Sequence, residues 1–257
     1  MVDIDQIRKL LERHFNSYTD APILDGAGES VKYKITVNGN ENFILKIQRA
    51  GLQNEYLNYK WLKGKLPVPD IIFFSCEKEF EAICLTEVKG KTLEKYMGLW
   101  TPEKVVEQYA LSLKKMHSLT IDKYALKQNL QNRIAAAKYN LKNGKVDKDN
   151  LQPENQSEDI SELFKTLLSL VPTNHEPVFT HGDFCFDNII FNDTQISGYI
   201  DLVNGGVADK YQDIGLAVRN INETFGSGYV ALFFRRYGLD KINEDKIKFY
   251  ILLDEFF

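Results

Sequence analysis

One polar segment of the sequence, FTHGDFCFDNIIF, carries the residues best suited to chemistry, since it places Asp183 and Asn188 in a turn before an apolar strand. Asp201 follows at the end of a second apolar segment, YIDLV. Magnesium prefers hard oxygen ligands of this kind and shares them with nucleotide phosphates. Asn188 and Asp201 are therefore the candidate metal ligands, which leaves Asp183 to accept a proton from an attacking hydroxyl. This division of roles predicts phosphoryl transfer, where positioning and charge neutralisation supply most of the catalysis.

The same residue types also favour turns for conformational reasons, so an isolated His-Gly-Asp triplet would be explained equally well as a turn. The longer pattern H-G-D-x-x-x-x-N, followed by the strand-end Asp201, favours the chemical explanation. The histidine of this pattern, His181, is predicted to be structural, with a neutral imidazole that hydrogen-bonds to nearby backbone groups.

A lysine and a glutamate in the N-terminal part of the chain form a second candidate set. Lys46 lies in the strand-like segment FILKI, where Leu45 and Ile47 point to the opposite face. Glu55 follows nine residues later in a helical segment. We expect Glu55 to pair with Lys46 and to fix its ammonium group toward nucleotide phosphates. Taken alone, both residues would be explained equally well as solvated surface charges.

The glycine-bearing segment GAGES precedes the predicted strand VKYKITV. Its backbone amides, with Gly28 and Ser30 as the candidates, could approach phosphates closely. The segment is not a Walker A motif, because no GK[ST] follows it.

Composition and charge exclude several classes of protein. The 257 residues are 44% hydrophobic and 26% charged, as in ordinary globular proteins. With 32 Lys and Arg against 36 Asp and Glu, the net charge of -4 gives no bulk electrostatic reason to bind nucleic acid. No apolar run approaches the roughly 18 residues of a membrane helix, and the start MVDIDQIRK lacks an apolar signal core. The three cysteines lack a CxxC pattern, so a cytoplasmic protein without disulfides or thiolate zinc is expected.

Periodicity divides the chain into a strand-rich N-terminal part and a helical remainder. The first part has a predicted helix at 4–15, a β-hairpin around the turn NGNE, a helix at 52–63, and strands at 71–74 and 82–86. The second part has a long helix beginning at Thr101–Pro102, an acidic insertion at 143–162, short strands around the polar cluster, and further helices. The prediction is an α+β fold with a small β-rich lobe at 1–89, crossed by one helix, and a larger, mainly helical lobe at 90–257.

A family resemblance runs over nearly the whole chain, and its specific segments are WLKGKLPVP, THGDFCFDN, SGYIDLVNGGVADKYQDIGLAVRNI and KFYILLDEFF. They resemble the aminoglycoside phosphotransferase and choline kinase superfamily, and within it most closely the aminoglycoside 3′-phosphotransferases. The resemblance implies the bilobal protein-kinase-like fold and phosphorylation of an aminoglycoside 3′-hydroxyl by ATP, with Mg²⁺ as the metal. It further implies antibiotic resistance and direct in-line transfer, with Asp183 as the base and Asn188 and Asp201 as magnesium ligands.

The resemblance also assigns the nucleotide-binding residues. Lys46 with Glu55 would grip the α- and β-phosphates, and a hinge would present backbone groups to the adenine edge through Thr86, Glu87 and Val88. An aliphatic sandwich around the base would consist of Ile44, Ile190 and Ile200. Because Ile44 replaces an aromatic residue that often stacks on adenine, we expect a weaker adenine preference, with GTP as an alternative donor.

The substrate side has independent physical support, because aminoglycosides are polycations and need a negative site. The resemblance assigns this role to acids of the insertion, to a further acid and to the last residues of the chain, namely Asp149, Glu154, Glu223, Asp254, Glu255 and the α-carboxylate of Phe257. The alternative explanations are a solvated loop and a terminal helix that buries Ile251, Leu252 and Phe256. The expected partners are an aminoglycoside and a nucleoside triphosphate, with no nucleic acid, membrane or obligate protein partner.

Two departures from the family pattern bear on the phosphate site. The triplet Asp-x-Gly is replaced by Asp201–Leu202–Val203, which predicts a more restricted backbone, and Asn204 stands where relatives often carry arginine. Alternative functions are a choline, homoserine or sugar kinase of the same superfamily and a nucleotide-binding pseudokinase. The acidic insertion argues against the first, and the presence of all the candidate catalytic residues argues against the second. A protein kinase is disfavoured because the DFG and APE motifs are absent.

Overall fold

A computed structural model describes residues 4–23, 30–123 and 125–257 of the chain. Gly28, one of the candidates for phosphate contact, lies outside these residues. Among the described residues, no helix combines the length and the apolar character needed to cross a membrane.

The regular elements follow one another in an order that is rich in strands at first and rich in helices later. In chain order they are α1 (Ile4–Glu12), β1 (Tyr18–Ile23), β2 (Val31–Val37), β3 (Glu41–Gln48), α2 (Leu52–Leu62), β4 (Ile71–Cys76), β5 (Glu81–Thr86), β6 (Lys91–Thr92), α3 (Leu93–Tyr96), α4 (Pro102–His117), α5 (Leu130–Lys142), α6 (Ile160–Ser169), β7 (Pro177–Thr180), β8 (Ile189–Asn192), β9 (Gln195–Tyr199), β10 (Gly206–Asp209), α7 (Tyr211–Phe225), α8 (Val230–Tyr237) and α9 (Glu244–Asp254). This content confirms the predicted α+β class.

The chain forms two units. The first unit contains the residues up to Gly90 together with residues 190–204, and the second unit contains residues 91–189 and 205–257. The prediction from the sequence cut the chain once, after residue 89, and so assigned the segment 190–204 to the larger lobe.

The first unit is built on a five-stranded sheet in the order β1-β2-β3-β5-β4. The predicted hairpin is present, with Val37 opposite Glu41 and Lys32 opposite Lys46. Its turn uses left-handed backbone at Asn38 and Gly39, with φ of 51° and 73°, as tight hairpin turns require. Helix α1 packs its apolar face on this sheet and ends three residues earlier than predicted.

The second unit is mainly helical, with α7 packed against α9 and α4 packed against α8. Helix α4 begins as predicted, because the Thr101 hydroxyl accepts a hydrogen bond from the Lys104 amide at 3.4 Å and Pro102 occupies the first turn. Its apolar stripe is fully buried and consists of Val105, Tyr109, Leu113 and Met116. The acidic insertion ends at α6, whose N-terminus is capped by the Asp159 carboxylate.

Candidate active site

A buried ion pair joins strand β3 to helix α2 in the first unit. The Lys46 ammonium donates hydrogen bonds to Glu55 Oε2 and to Asp201 Oδ1, both at 2.8 Å. Lys46 is only 5% exposed and Glu55 is fully buried, so neither is a solvated surface charge. Burial acts to lower the pKa of Lys46, but the two carboxylates hold it above its ordinary value. The structure thus brings together three of the residues that the sequence singled out.

A second lysine that the sequence analysis missed reaches the same carboxylate. Lys32 Nζ lies 3.1 Å from Asp201 Oδ2. Because Lys32 and Lys46 are directly opposite each other on β2 and β3, their side chains leave the sheet on the same face. Burial would raise the pKa of Asp201, but Lys46 and Lys32 lower it to about 2. The hairpin register, once derived from the NGNE turn, could have identified Lys32.

Helix α2 also fixes the backbone around Asp201. The Tyr59 hydroxyl donates to Glu55 Oε1 at 3.0 Å and accepts from the Asp201 amide at 3.1 Å. Asn58 Nδ2 donates to the Leu202 carbonyl at 2.8 Å. Asp201 has a φ of 59°, a left-handed conformation that aspartate tolerates better than most residues. The backbone of this altered triplet is therefore held by hydrogen bonds from a neighbouring helix.

The other candidate nucleotide residues that the structure describes also belong to the first unit. They are Ser30, Ile44, Thr86, Glu87, Val88, Ile190 and Ile200. In the predicted hinge, the Thr86 amide donates to the Asp70 carbonyl at 2.9 Å, and the Glu87 amide donates to the Asn42 carbonyl at 3.1 Å. Val88 packs against Gly198, where an added Cβ would lie only 2.7 Å from Val88 Cγ1.

Asp183 and Asn188 lie together in the second unit. Asp183 is exposed, and Asn188 Nδ2 donates to its Oδ2 at 3.0 Å and to its carbonyl at 2.9 Å. The amide of Asn188 thus orients the carboxylate while leaving it accessible from solvent, as a proton acceptor for an incoming hydroxyl must be.

A buried aspartate in α7 positions this turn, and the sequence analysis gave it no role. Asp213 Oδ1 accepts from the Gly182 amide at 2.9 Å, and its Oδ2 accepts from the His181 amide at 2.7 Å. His117 Nε2 lies 3.0 Å from Asp213 Oδ2, and His117 Nδ1 lies 2.8 Å from the Tyr237 hydroxyl. The sequence feature that could have indicated this role is an acidic residue within the mainly apolar helix segment YQDIGLAV, because a buried acid needs hydrogen-bond partners.

The predicted hydrogen bonding of the His181 ring is wrong. The ring is fully buried, and within the part of the chain that the structure describes neither of its nitrogens has a hydrogen-bond partner. The residue contributes instead through its backbone amide, which Asp213 holds.

The candidate substrate acids all belong to the second unit, but they differ in surroundings. Glu223 is 46% exposed at its side chain, whereas Glu255 is almost fully buried and accepts from Asn155 Nδ2 at 2.9 and 3.0 Å. Burial raises the pKa of Asp254, and the charges of Asp183 and Glu223 raise it further against two neighbouring arginines. The candidate base and two candidate substrate acids therefore share one electrostatic environment.

The remaining substrate candidates lie on the insertion and at the chain end. Asp149 and Glu154 are exposed, and Glu154 shares a cavity of about 540 Å³ with Glu255. Burial, and to a lesser extent the charge of Glu154, raises the pKa of Glu255. Phe257 is half-exposed, with its ring 5.4 Å from the guanidinium carbon of Arg133.

Comparison with known proteins decides the family. The model of the phosphotransferase enzyme family APH matches residues 21–250. The chain belongs to this family. An aminoglycoside 3′-phosphotransferase from Enterococcus faecalis is 35% identical over 98% of this chain and 97% of its own length. Another from Niallia circulans is 37% identical over 77% of this chain and 75% of its own length.

Solved structures of the family share the fold. The crystal structure of an aminoglycoside 3′-phosphotransferase of type VIII superposes with a TM-score of 0.84, covering 99% of this chain and 98% of its own, at 24% identity. The phosphotransferase APH(3′′)-Id of Streptomyces rimosus, solved with ADP and streptomycin, gives a TM-score of 0.83 at 22% identity and covers 100% of this chain and 99% of its own. These likenesses confirm the predicted kinase-like fold.

Each of the two candidate metal ligands carries an oxygen donor. Asp201 offers carboxylate oxygens, and Asn188 offers its amide oxygen, because its amide nitrogen is directed at Asp183. Carboxylate and amide oxygens are hard donors, the type of ligand that magnesium prefers. Among the residues that the structure describes, no group of three or more His, Cys, Asp or Glu side chains is arranged to hold a metal ion.

Replacing Asp213 by asparagine should lower kcat by about ten- to a hundredfold. The side-chain nitrogen of the introduced asparagine cannot accept a hydrogen bond from the His181 backbone N–H, and an unsatisfied buried donor costs about 1–3 kcal/mol. Steady-state kinetics with the exposed Asp240→Asn variant as the matched control measures this. Full turnover by a stably folded Asp213→Asn protein would show that the two amide contacts do not position the catalytic turn.

Proposed function

We propose that this chain transfers the γ-phosphoryl group of ATP to the 3′-hydroxyl of aminoglycoside antibiotics and thereby confers resistance. The observation that carries the proposal is the exposed Asp183 carboxylate, which accepts from Asn188 Nδ2 at 3.0 Å and belongs to the same unit as the candidate substrate acids. A polycationic substrate drawn to these acids would present its hydroxyl groups close to the base. The reaction is assigned to the cytoplasm, where ATP is available.

Asp183 is the proposed general base. Its carboxylate, held by Asn188 Nδ2, would orient the acceptor hydroxyl and take its proton as the phosphoryl group is transferred in line. Asn188 and Asp201 would each donate an oxygen to Mg²⁺, which when bound neutralises charge on the nucleotide phosphates. No phosphorylated enzyme intermediate is involved.

Lys46 is the proposed phosphate ligand, and Glu55 holds it in place. The ion pair is buried, so the ammonium has few alternative positions. Among the hinge residues, the amides of Thr86 and Glu87 already donate to carbonyl groups, and we therefore assign the adenine contact to the backbone of Val88. The aliphatic side chains of Ile44, Ile190 and Ile200 would enclose the base, with Ser30 toward the phosphates.

The α-carboxylate of Phe257 is proposed to bind a substrate ammonium group together with the acids of the insertion and of α9. The chain end is held in place, because Asn140 Nδ2 donates to the Phe256 carbonyl at 2.8 Å and Arg133 lies over the Phe257 ring. Its position therefore depends on α5 as well as on α9.

Deleting Phe257 should raise the KM for the aminoglycoside by about tenfold or more and leave the KM for ATP nearly unchanged, since a charge-assisted hydrogen bond is worth roughly 1.5–3 kcal/mol. The matched control is Phe257→Ala, which retains the terminal carboxylate and loses only the ring. Equal changes in both KM values on deletion would mean that the terminus only packs.

The proposed function is tested by measuring ADP release in a coupled assay with MgATP and, in separate runs, kanamycin A, neomycin B and lividomycin A. Turnover with kanamycin A supports the proposal. Lividomycin A lacks the 3′-hydroxyl, so its turnover would reveal phosphorylation of a second hydroxyl, such as 5″. No turnover with any of the three, despite tight nucleotide binding, would overturn the proposal in favour of another small-molecule kinase or a pseudokinase.

A further inference from the structure

Two of the acids proposed for the substrate side are bridged by one arginine. Arg219, on α7, places its Nε 3.0 Å from Glu223 Oε1 and its Nη1 3.2 Å from Asp254 Oδ2. Its side chain is only 17% exposed, so water screens these contacts weakly. One guanidinium therefore connects a carboxylate of its own helix to a carboxylate of α9.

A second arginine lies beside the same pair of carboxylates. Arg133 Nη2, on α5, lies 3.9 Å from Asp254 Oδ1. Two carboxylates thus face two guanidinium groups, and this cluster has no net charge. Glu255, the next residue along the chain, differs because its hydrogen-bond donor is the neutral amide of Asn155.

Glu223 remains partly accessible from solvent, but the nearby Arg219 charge weakens it as a site for a cationic ligand. Glu223 Oε1 is occupied by Arg219 and by Gln152 Nε2, at 3.0 and 2.6 Å, while the side chain as a whole remains 46% exposed. An ammonium group that approached Glu223 from solvent would lie close to the Arg219 charge and be repelled by it. The carboxylate is thus accessible but weakened as a cation site.

We propose that Arg219 is a specificity-determining residue: a built-in cation that occupies the Glu223–Asp254 carboxylate pair and so limits how many ammonium groups of a substrate this enzyme binds. The inference rests on the proposed function, because it concerns the same acidic site. Arg219 restricts the binding of the more highly charged aminoglycosides most, because they carry an additional amino group that would otherwise bind to the Glu223–Asp254 carboxylate pair.

The test replaces Arg219 by methionine, which removes the charge at similar length, and by lysine, which retains the charge. Isothermal titration calorimetry gives the Kd for kanamycin A and for neomycin B, which carries more amino groups. For Arg219→Met we expect the Kd for neomycin B to fall by about fivefold, a change typical of one partly exposed ion pair, with a smaller change for kanamycin A. Arg219→Lys should bind both as the parent does.

The matched control is Arg236→Met, which removes an exposed arginine paired with Glu107 at 3.1 Å on α8 and α4. This control should leave both Kd values unchanged. Raising the salt concentration should weaken neomycin B binding more steeply in Arg219→Met than in the parent, which a purely structural role would not produce.

The inference is overturned if Arg219→Met binds neomycin B as the parent does or more weakly. It is also overturned if Arg219→Lys shows the same gain as Arg219→Met, since charge would then be irrelevant. If the parent enzyme phosphorylates no aminoglycoside, the proposed function itself fails, and that result is separate from the variant comparison.

Discussion

An Asp183→Asn enzyme is expected to lose roughly 10²–10⁴-fold in kcat, the range contributed by a positioned general base, while its affinity for ATP stays close to that of the parent. Asparagine has the same shape, so the contact with Asn188 and the turn held by Asp213 can persist. What disappears is the ability to take a proton from the acceptor hydroxyl.

The measurement is single-turnover phosphorylation of kanamycin A together with nucleotide titration, which separates chemistry from binding. Asp193→Asn is the matched control, because Asp193 is an exposed acid with a φ of 53° that asparagine adopts readily. Turnover within a few-fold of the parent in Asp183→Asn would refute the assignment of the base.

The second large effect concerns Lys46. The Lys46→Met substitution is expected to destabilise the protein by about 3–5 kcal/mol, because it leaves the fully buried Glu55 without its counter-ion. The same change removes the proposed phosphate contact, so ATP affinity should fall as well. Chemical denaturation and nucleotide titration report the two losses separately.

A double variant separates structure from binding. Lys46→Met with Glu55→Gln removes the unpaired buried charge and should recover a substantial part of the lost stability, but ATP affinity should remain low. Lys34→Met is the matched control, because Lys34 also lies on the β2–β3 hairpin and pairs with Glu87 at 2.7 Å, yet is half-exposed. If the double variant regains ATP affinity as well, Lys46 holds the fold rather than the phosphates.

Local patterns explain which parts of the fold could be predicted. The hairpin around NGNE and the start of α4 at Thr101–Pro102 depend on residues close in sequence, and both are present. Strand β1 was missed, since YTDAPI carries a proline and an aspartate and buries none of its side chains fully. Only pairing with β2, residue for residue, makes it a strand.

The missed site residues share a dependence on contacts distant in sequence. Asp213 acts on the amides of His181 and Gly182, which lie more than thirty residues away, and no spacing rule links a helix interior to that turn. The contact of Lys32 with Asp201 could be predicted only from the strand register of the β2–β3 hairpin. The contacts of Arg219 and Arg133 depend on how α5, α7 and α9 pack. The acids could therefore be predicted from the sequence, but the arginines paired with them could not.

The membership of residues 190–204 in the first unit has a consequence for the order of folding. A ribosome must synthesise all of residues 91–189 before Asp201, so Lys46 lacks one of its carboxylate partners for most of translation. Gly90 likewise packs against the backbone of Phe191, which is synthesised much later and leaves no room for a side chain at position 90. Contacts of such long sequence separation close slowly. The N-terminal segment is therefore expected to remain an incomplete, chaperone-sensitive intermediate until late in synthesis.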